Sequence, residues 1–323
     1  MKRYEKFVLE AEKGITFRVK KGVGGELKIK ALNRANVYSG TYANPPIPEG
    51  YKHICGEWND GFVIERDSDG SQFVWVPVGS LDSNGALDGI SCADELLIPA
   101  GYSSIYVSGI LNKPSYTEKF GRRTYYCNVF EERFFHEPSS FELAMQVENV
   151  REYGGFYISR YNISKSSKGK PQSVKGVMPW VNINFEDARE VASTIEDNRT
   201  VESHLTFGAE YDSVLEWFIE SNARTRSEIE EDSTNWGNHK NTENSPKKVV
   251  ETGSREAWCT NNIYDFSGNV SEWTQEKYEN KDLYYYVLRG GNYQDKGIPV
   301  AARDFTTNSC FDCIGFRATL YIK

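Results

Sequence analysis

No run of this chain is apolar for the roughly 20 residues that a membrane-spanning helix needs. The opening residues, Met1-Lys2-Arg3-Tyr4-Glu5-Lys6, lead into no apolar leader segment. Synthesis in the cytoplasm without membrane insertion is therefore expected. Positive charge is in short supply: 38 Lys and Arg stand against 46 Asp and Glu, a net charge of −8. With no dense basic cluster, nucleic acid is excluded as a partner. Histidine is scarcer still, since His53, His136, His204 and His239 are isolated from one another. Clustered imidazoles of the kind that hold iron or zinc are missing. The six cysteines are dispersed, as in proteins made in a reducing compartment, and only Cys310 and Cys313 are close. That pair has no second C-x-x-C, no neighbouring His and no βαβ frame, so it reads as two free thiols. Gly290-Gly291 belongs to no G-x-G-x-x-G pattern and opens no helical pattern, which removes a phosphate cradle.

Aromatic residues, by contrast, are abundant at 14%, with 20 Tyr and 7 Trp. Large rings suit a loop-rich fold, and 323 residues provide for one large or two medium domains. Ile15 to Lys20 and Leu27 to Lys30 alternate apolar and polar residues across a Gly22-Val23-Gly24-Gly25 turn, and Phe7-Val8-Leu9 adds a third short strand. So small a β element rarely stands alone. Residues 1–48, which end in the stiff Asn44-Pro45-Pro46-Ile47-Pro48, are expected to be an attachment arm and linker ahead of a main domain at 49–323. Within that domain a hairpin is expected across Asp67-Ser68-Asp69-Gly70, then an inserted loop region at about 80–137. Ser139 and Glu142 form a capping box for a helix at about 140–152. Ala188, Val191, Ala192 and Ile195 share one helical stripe, and Tyr211, Val214, Leu215 and Phe218 another. The polar stretch 221–248 reads as a surface excursion held by Trp236. Leu283 to Leu288 reads as a buried strand.

The most informative stretch is 262–317. Asp265 and Glu272 bracket Gly268-Asn269, a pair that accepts positive φ and turns backbone carbonyls inward. Two carboxylates with inward carbonyls are hard oxygen ligands of the kind Ca²⁺ takes; the alternative is a solvated turn carrying two surface acids. Asn262-Ile263-Tyr264-Asp265-Phe266-Ser267-Gly268-Asn269-Val270-Ser271-Glu272-Trp273, then Arg289-Gly290-Gly291-Asn292, then Ile314-Gly315-Phe316-Arg317 follow in order. Together they resemble the C-terminal half of the formylglycine-generating, sulfatase-modifying enzyme family. Gly154 to Ser164, Pro179 to Ala188 and Leu205 to Asp212 resemble the same family further upstream. The resemblance implies an α+β, C-type-lectin-like fold. It also implies a calcium held by Asp265 and Glu272 through side chains and by Gly268 and Val270 through carbonyls.

The family's chemistry needs two cysteines just after R-G-G-S, whose thiolates bind copper and activate oxygen. Here Asn292 replaces the serine, Asp295 stands at the first cysteine position, and no cysteine falls between Gly291 and Cys310. Oxygen and amide groups do not hold Cu(I). No copper and no catalytic residue are therefore expected. What remains is a recognition surface of Asn292, Tyr293, Asp295, Phe305, Thr306, Asn308 and Phe311, in which rings give rigid contact area and polar groups adaptable hydrogen bonds. With the β arm, this points to a non-catalytic binding or display protein. A phage or prophage virion component fits, assembling as an oligomer or through its arm with other virion subunits and meeting a host-surface protein or glycan. Residues 303–313 are also of types reachable by retroelement diversification, a property most residue types share. The alternative is an oxidase of the formylglycine-generating type with its thiols relocated to Cys310 and Cys313.

Overall fold

The computed structural model describes the backbone of 15–21 and 27–33 and residues 45–323, apart from 59, 78–141, 144, 147, 148, 150–152, 197, 281 and 282. The Phe7-Val8-Leu9 strand and the 80–137 insertion lie outside the described residues. Strands β1 (Ile15–Lys21) and β2 (Leu27–Asn33) pair antiparallel, with Lys21 opposite Leu27. That antiparallel pairing is the one the alternation predicts.

The core is organised by a six-stranded sheet. Its strands are β3 (Tyr51–Cys55), β4 (Val63–Arg66), β5 (Gln72–Pro77), β6 (Gly155–Ser159), β9 (Val201–Leu205) and β16 (Ala318–Ile322), in the order β3-β4-β5-β6-β16-β9. Between β6 and β9 run a short hairpin of β7 (Ser164–Lys165) and β8 (Pro171–Gln172) and helix α1 (Phe185–Ser193). After β9 come α2 (Gly208–Glu220), α3 (Arg226–Glu230) and the two-residue strands β10 (Cys259–Thr260) and β11 (Ile263–Tyr264). A second sheet, in the order β14-β13-β12-β15, is built from β12 (Ser271–Asn280), β13 (Leu283–Arg289), β14 (Asp304–Thr306) and β15 (Ile314–Phe316).

Period-two side-chain placement splits the large sheet between two cores. Along β5, Val74 and Val76 join Tyr211, Val214, Leu215 and Phe218 of α2, whereas Phe73 and Trp75 join Phe185, Ala188 and Ala192 of α1 together with Trp273 and Phe316. Both faces are thus covered, which is why β5 and β6 read as unbroken apolar runs. Both helices fall where their stripes place them. Asn184 caps α1 by accepting from the Asp187 N–H at 2.9 Å. Ile195 is buried just beyond the helix end rather than within it. Residues 142, 143, 145, 146, 149 and 153 are helical, in keeping with the capping box. Tyr157 donates its hydroxyl to the Pro46 carbonyl at 3.1 Å, so the proline stretch is anchored to the sheet at its middle.

Two expectations are corrected. The stretch 221–248 is no mere surface excursion, because it folds into α3 and a helical turn, Thr234–Trp236, that bury Ile229, Trp236, Asn238 and His239. Asn238 donates to Asn269 Oδ1 at 3.1 Å and to the Lys248 carbonyl at 3.0 Å, and these bonds supply what a polar stretch needs to enter a core. Strand β13 is buried only in its second half, for Leu283 and Tyr284 are 57% and 53% exposed. Its partner β14 pairs with Tyr286 to Leu288, so Leu283 to Tyr285 have no strand neighbour on that side among the described residues.

Candidate functional site

The three sequence blocks become neighbouring strands. Glu272 and Trp273 of β12 lie opposite Arg289 and Leu288 of β13 on one side and beside Gly315 and Phe316 of β15 on the other. The loop leading into β12 carries three left-handed residues, Asp265 at φ 53°, Gly268 at 74° and Asn269 at 62°. A Cβ on Gly268 would lie 2.7 Å from the Asn238 backbone, so only glycine fits there. Asn269 fixes the loop by accepting from Asn238 Nδ2 at 3.1 Å and from the Val250 N–H at 3.0 Å.

Asp265 and Glu272 are 1% and 2% exposed, so the solvated turn with two surface acids is ruled out. Asp265 Oδ2 accepts from the Gly253 N–H at 2.8 Å and from Thr252 Oγ1 at 2.9 Å. Glu272 Oε1 accepts from Arg317 Nε and from Asn162 Nδ2, both at 2.7 Å. Arg317 also donates to the carbonyls of Ser159 and Tyr264. Burial pushes both carboxyls upward, Glu272 to about 7, while the guanidinium pulls the other way. Asp265 Oδ1 and Glu272 Oε2 have no hydrogen-bond partner among the described residues. Two buried, unpartnered carboxylate oxygens beside a turned backbone match the hard donor set of Ca²⁺ in kind. Gly268 and Val270 are both buried in that loop. Among the described residues no group of three His, Cys, Asp or Glu side chains assembles, so a calcium here would draw further ligands from carbonyls.

Sequence reasoning missed a second buried charge cluster next to the first. Arg289 donates to Asp212 at 2.6 Å and to Glu276 at 3.2 Å, and Arg303 donates to the same two acids at 2.5 and 2.7 Å. All four side chains are at most 3% exposed. Two guanidiniums against two carboxylates leave no net charge, the condition for keeping ions in a dry interior. The close approach is made at Gly208, where a Cβ would lie 2.0 Å from the Glu276 carboxyl carbon. This quartet ties α2 to β12, to the end of β13 and to the segment before β14. The Arg of the R-G-G block was legible, but Asp212 and Glu276 sit at positions that periodicity assigns to neither face.

The residues expected to form a recognition surface divide. Asp295 is corrected: at 5% exposed it is interior, and its Oδ2 accepts from the Asn292 N–H at 2.8 Å to close the turn after Gly291. Asn292 donates to Ser271 Oγ at 3.0 Å and accepts from the Gln294 N–H, so it too shapes that turn. Tyr293 is half-buried and its hydroxyl accepts from Gln294 Nε2 at 2.7 Å. Phe305, on β14 beside Thr306, packs edge-on against Tyr285 at 5.4 Å between centroids. Asn308 is exposed and accepts from the Glu186 N–H at the start of α1 at 3.4 Å. Phe311 is 48% exposed, and its carbonyl accepts from the Asn182 N–H. The turn and the 304–313 segment are neighbours, for the Asp295 charge is felt at both Asp304 and Cys313. Burial, reinforced by that charge, pushes the Asp304 carboxyl up to about 6. Burial with Asp312 and Asp295 pushes the Cys313 thiol up to about 11.

A further buried imidazole, His239, donates to or accepts from Ser267 Oγ at 2.8 Å, and burial lowers it to about 4. His204 pairs with Glu210 at 2.8 Å and lies tilted against Phe207, 4.9 Å between ring centroids. Both are interior structural residues rather than members of a cluster.

The family model of the sulfatase-modifying factor enzyme 1-like domain matches residues 139–321. The chain belongs to that family. Its α+β, C-type-lectin-like fold accounts for the helix-poor, loop-rich layers described above. No curated protein matches the chain. Among ten solved chains that match is one titled "Crystal Structure of CarF", 17% identical over 52% of this chain and 87% of that one, with a TM-score of 0.39. All three diagnostic blocks fall inside the matched residues. So do Asn292 and Asp295, which stand where the family's serine and first cysteine are expected.

Proposed function

We propose that this member of the sulfatase-modifying factor family is a non-catalytic ligand-binding or display domain. One observation carries the reading. The turn after Arg289-Gly290-Gly291 is closed by a buried Asp295 bonded to the Asn292 backbone, so hard oxygen and amide groups occupy the place of a soft-metal thiolate pair. Nearby Cys313 is held toward its neutral thiol by burial and by two acids. Copper ligation and nucleophilic chemistry both need the thiolate. The neighbouring segment offers half-buried Phe305 and Thr306 and exposed Asn308 and Phe311, to which half-buried Tyr293 adds another ring. The partner on this reading is a host-surface protein or glycan, and the β1–β2 arm attaches the domain to other subunits of a virion or prophage particle. A calcium at Asp265, Gly268, Val270 and Glu272 would act structurally, fixing the loop that feeds β12.

The competing reading, a copper oxidase using Cys310 and Cys313, is favoured by one fact: Cys313 lies within electrostatic reach of Asp295, the position of the family's first cysteine. Cu(I) titration separates the two. The binding reading expects no stoichiometric tight site and no oxygen uptake with a peptide thiol. Tight binding abolished by Cys310→Ser or Cys313→Ser overturns it.

A further inference from the structure

A groove of about 790 Å³ lies between the β7–β8 hairpin, the turn that follows β4 and the C-terminal end of α1. It shares no residue with the face around Phe305 and Phe311. Its size falls within the range of about 300–1,000 Å³ typical of small-ligand sites.

The floor of the groove is tied together by a network of ion pairs. Arg66 grips Asp69 through two bonds, of 2.8 and 2.5 Å, and reaches across to the Ile195 carbonyl at 2.6 Å and Glu196 Oε1 at 2.8 Å. Arg66 offsets one of its two acids, and Glu196 also accepts from Tyr51 Oη and Asn198 Nδ2, so one negative charge remains at the floor. Above that floor stand the ammonium groups of Lys168 and Lys170 on the hairpin tip, both exposed and neither in an ion pair among the described residues, and they outweigh the floor's residual negative charge. On a chain of net charge −8, this is a local cationic wall. Beside it Ser68, Ser167 and the Gln172 carboxamide line the groove with no side-chain bond among the described residues. Pro171 and Ile195 add a short apolar strip.

These features select the ligand class. The hairpin backbone is spent on itself, with Ser166 N–H on the Lys170 carbonyl, Gly169 N–H on the Ser166 carbonyl and Lys170 N–H on Ser166 Oγ. No strand edge is offered there for an extended peptide to pair with. Among the described residues no aromatic ring lines the groove, so they give a nucleobase nothing to stack on. Free hydroxyls and a carboxamide read ligand hydroxyls, an apolar strip accepts the C–H face of a ring, and two ammonium groups placed away from the floor's acids read a negative charge. We propose that this groove binds a short anionic oligosaccharide, carboxylated or sulfated. The inference stands on the groove alone and does not rest on the recognition face proposed above.

The full chain is titrated calorimetrically with three disaccharides at low and at physiological salt: one bearing a single uronate, the same sugar O-sulfated, and its neutral reduced form. Inorganic sulfate and an acidic peptide are the anion controls. Binding of one or both anionic sugars is expected, about tenfold tighter than the neutral form, since two charge contacts of ordinary strength amount to that. K168A/K170A should weaken it about tenfold and flatten its salt dependence. S68A/Q172A should weaken it while leaving the salt dependence unchanged. All four positions are on the surface of a turn or hairpin, so unaltered melting temperatures serve as the folding control. Y293A/F305A/F311A should bind the sugars like the wild type. Failure of all three sugars to bind overturns the proposal. So does equal binding of neutral and charged sugars, or sulfate or acidic peptide binding as tightly as the sugar.

Discussion

Arg303→Met removes one of the four charges in the buried Arg289–Asp212–Arg303–Glu276 cluster and leaves a methionine of similar reach. Arg289 then faces two carboxylates alone, so the interior carries one uncompensated negative charge with no water to solvate it. Breaking a buried ion pair from one side costs about 3–5 kcal/mol. For a domain of this size each kcal/mol lowers Tm by about 2–4 °C, which gives a fall of about 6–20 °C. Adding Glu276→Gln restores the balance to one cation and one anion, Arg289 with Asp212 at 2.6 Å, and should recover more than half of that loss. Differential scanning fluorimetry on the wild type, both single variants and the pair closes the double-mutant cycle. Additive losses, or a shift of a degree or less for Arg303→Met, would refute the reading of the quartet as one electrostatic unit.

If calcium fixes the 265–272 loop, chelation should lower the wild-type Tm and added Ca²⁺ restore it, whereas Asp265→Ala/Glu272→Ala should be less stable and indifferent to both. An unchanged Tm on chelation with no copurifying metal leaves the loop a turn held by its protein hydrogen bonds, those of Thr252 and Gly253 to Asp265 and of Arg317 and Asn162 to Glu272. Asp304 titrates near 6 in the fold and near 3.9 unfolded, so the native state holds the extra proton between these values and loses stability as pH rises through them. Asp304→Asn should accordingly gain about 1–2 kcal/mol over the wild type at pH 7 and nothing at pH 4, read from urea midpoints; an equal gain at both would show the charge is not the cause. Y293A/F305A/F311A should stay folded, Phe311 being half exposed, and should lose binding to the natural partner. A truncation starting at Glu49 forfeits the Tyr157 bond to Pro46 yet should remain folded while losing assembly; aggregation would make the arm part of the core.

Much of the fold was legible because the three C-terminal blocks are also three adjacent strands of one sheet, Glu272 beside Arg289 and Gly315. Glycine and asparagine at φ-positive sites, and apolar stripes on α1 and α2, are local signals that tertiary packing left intact. Burial of charge was not legible. Asp212, Glu276 and Arg303 become interior only because their partners arrive from other elements, and a charged residue has no periodic mark that says so. Asp295 misled for the same reason, since a polar residue in a glycine turn reads as exposed until its bond to the Asn292 N–H is seen. The stretch 221–248 looked like solvent-facing chain, whereas Asn238 and His239 enter the core through bonds to Asn269 and Ser267.

The central claim, that recognition has replaced thiol chemistry in this member of the family, is tested most directly by loading the purified chain with Cu(I) and supplying a sulfatase-type cysteine peptide in the presence of oxygen. Mass spectrometry should find the peptide thiol intact and no aldehyde. Aldehyde that forms with the wild type and disappears with Cys310→Ser or Cys313→Ser would contradict the account and restore the enzyme.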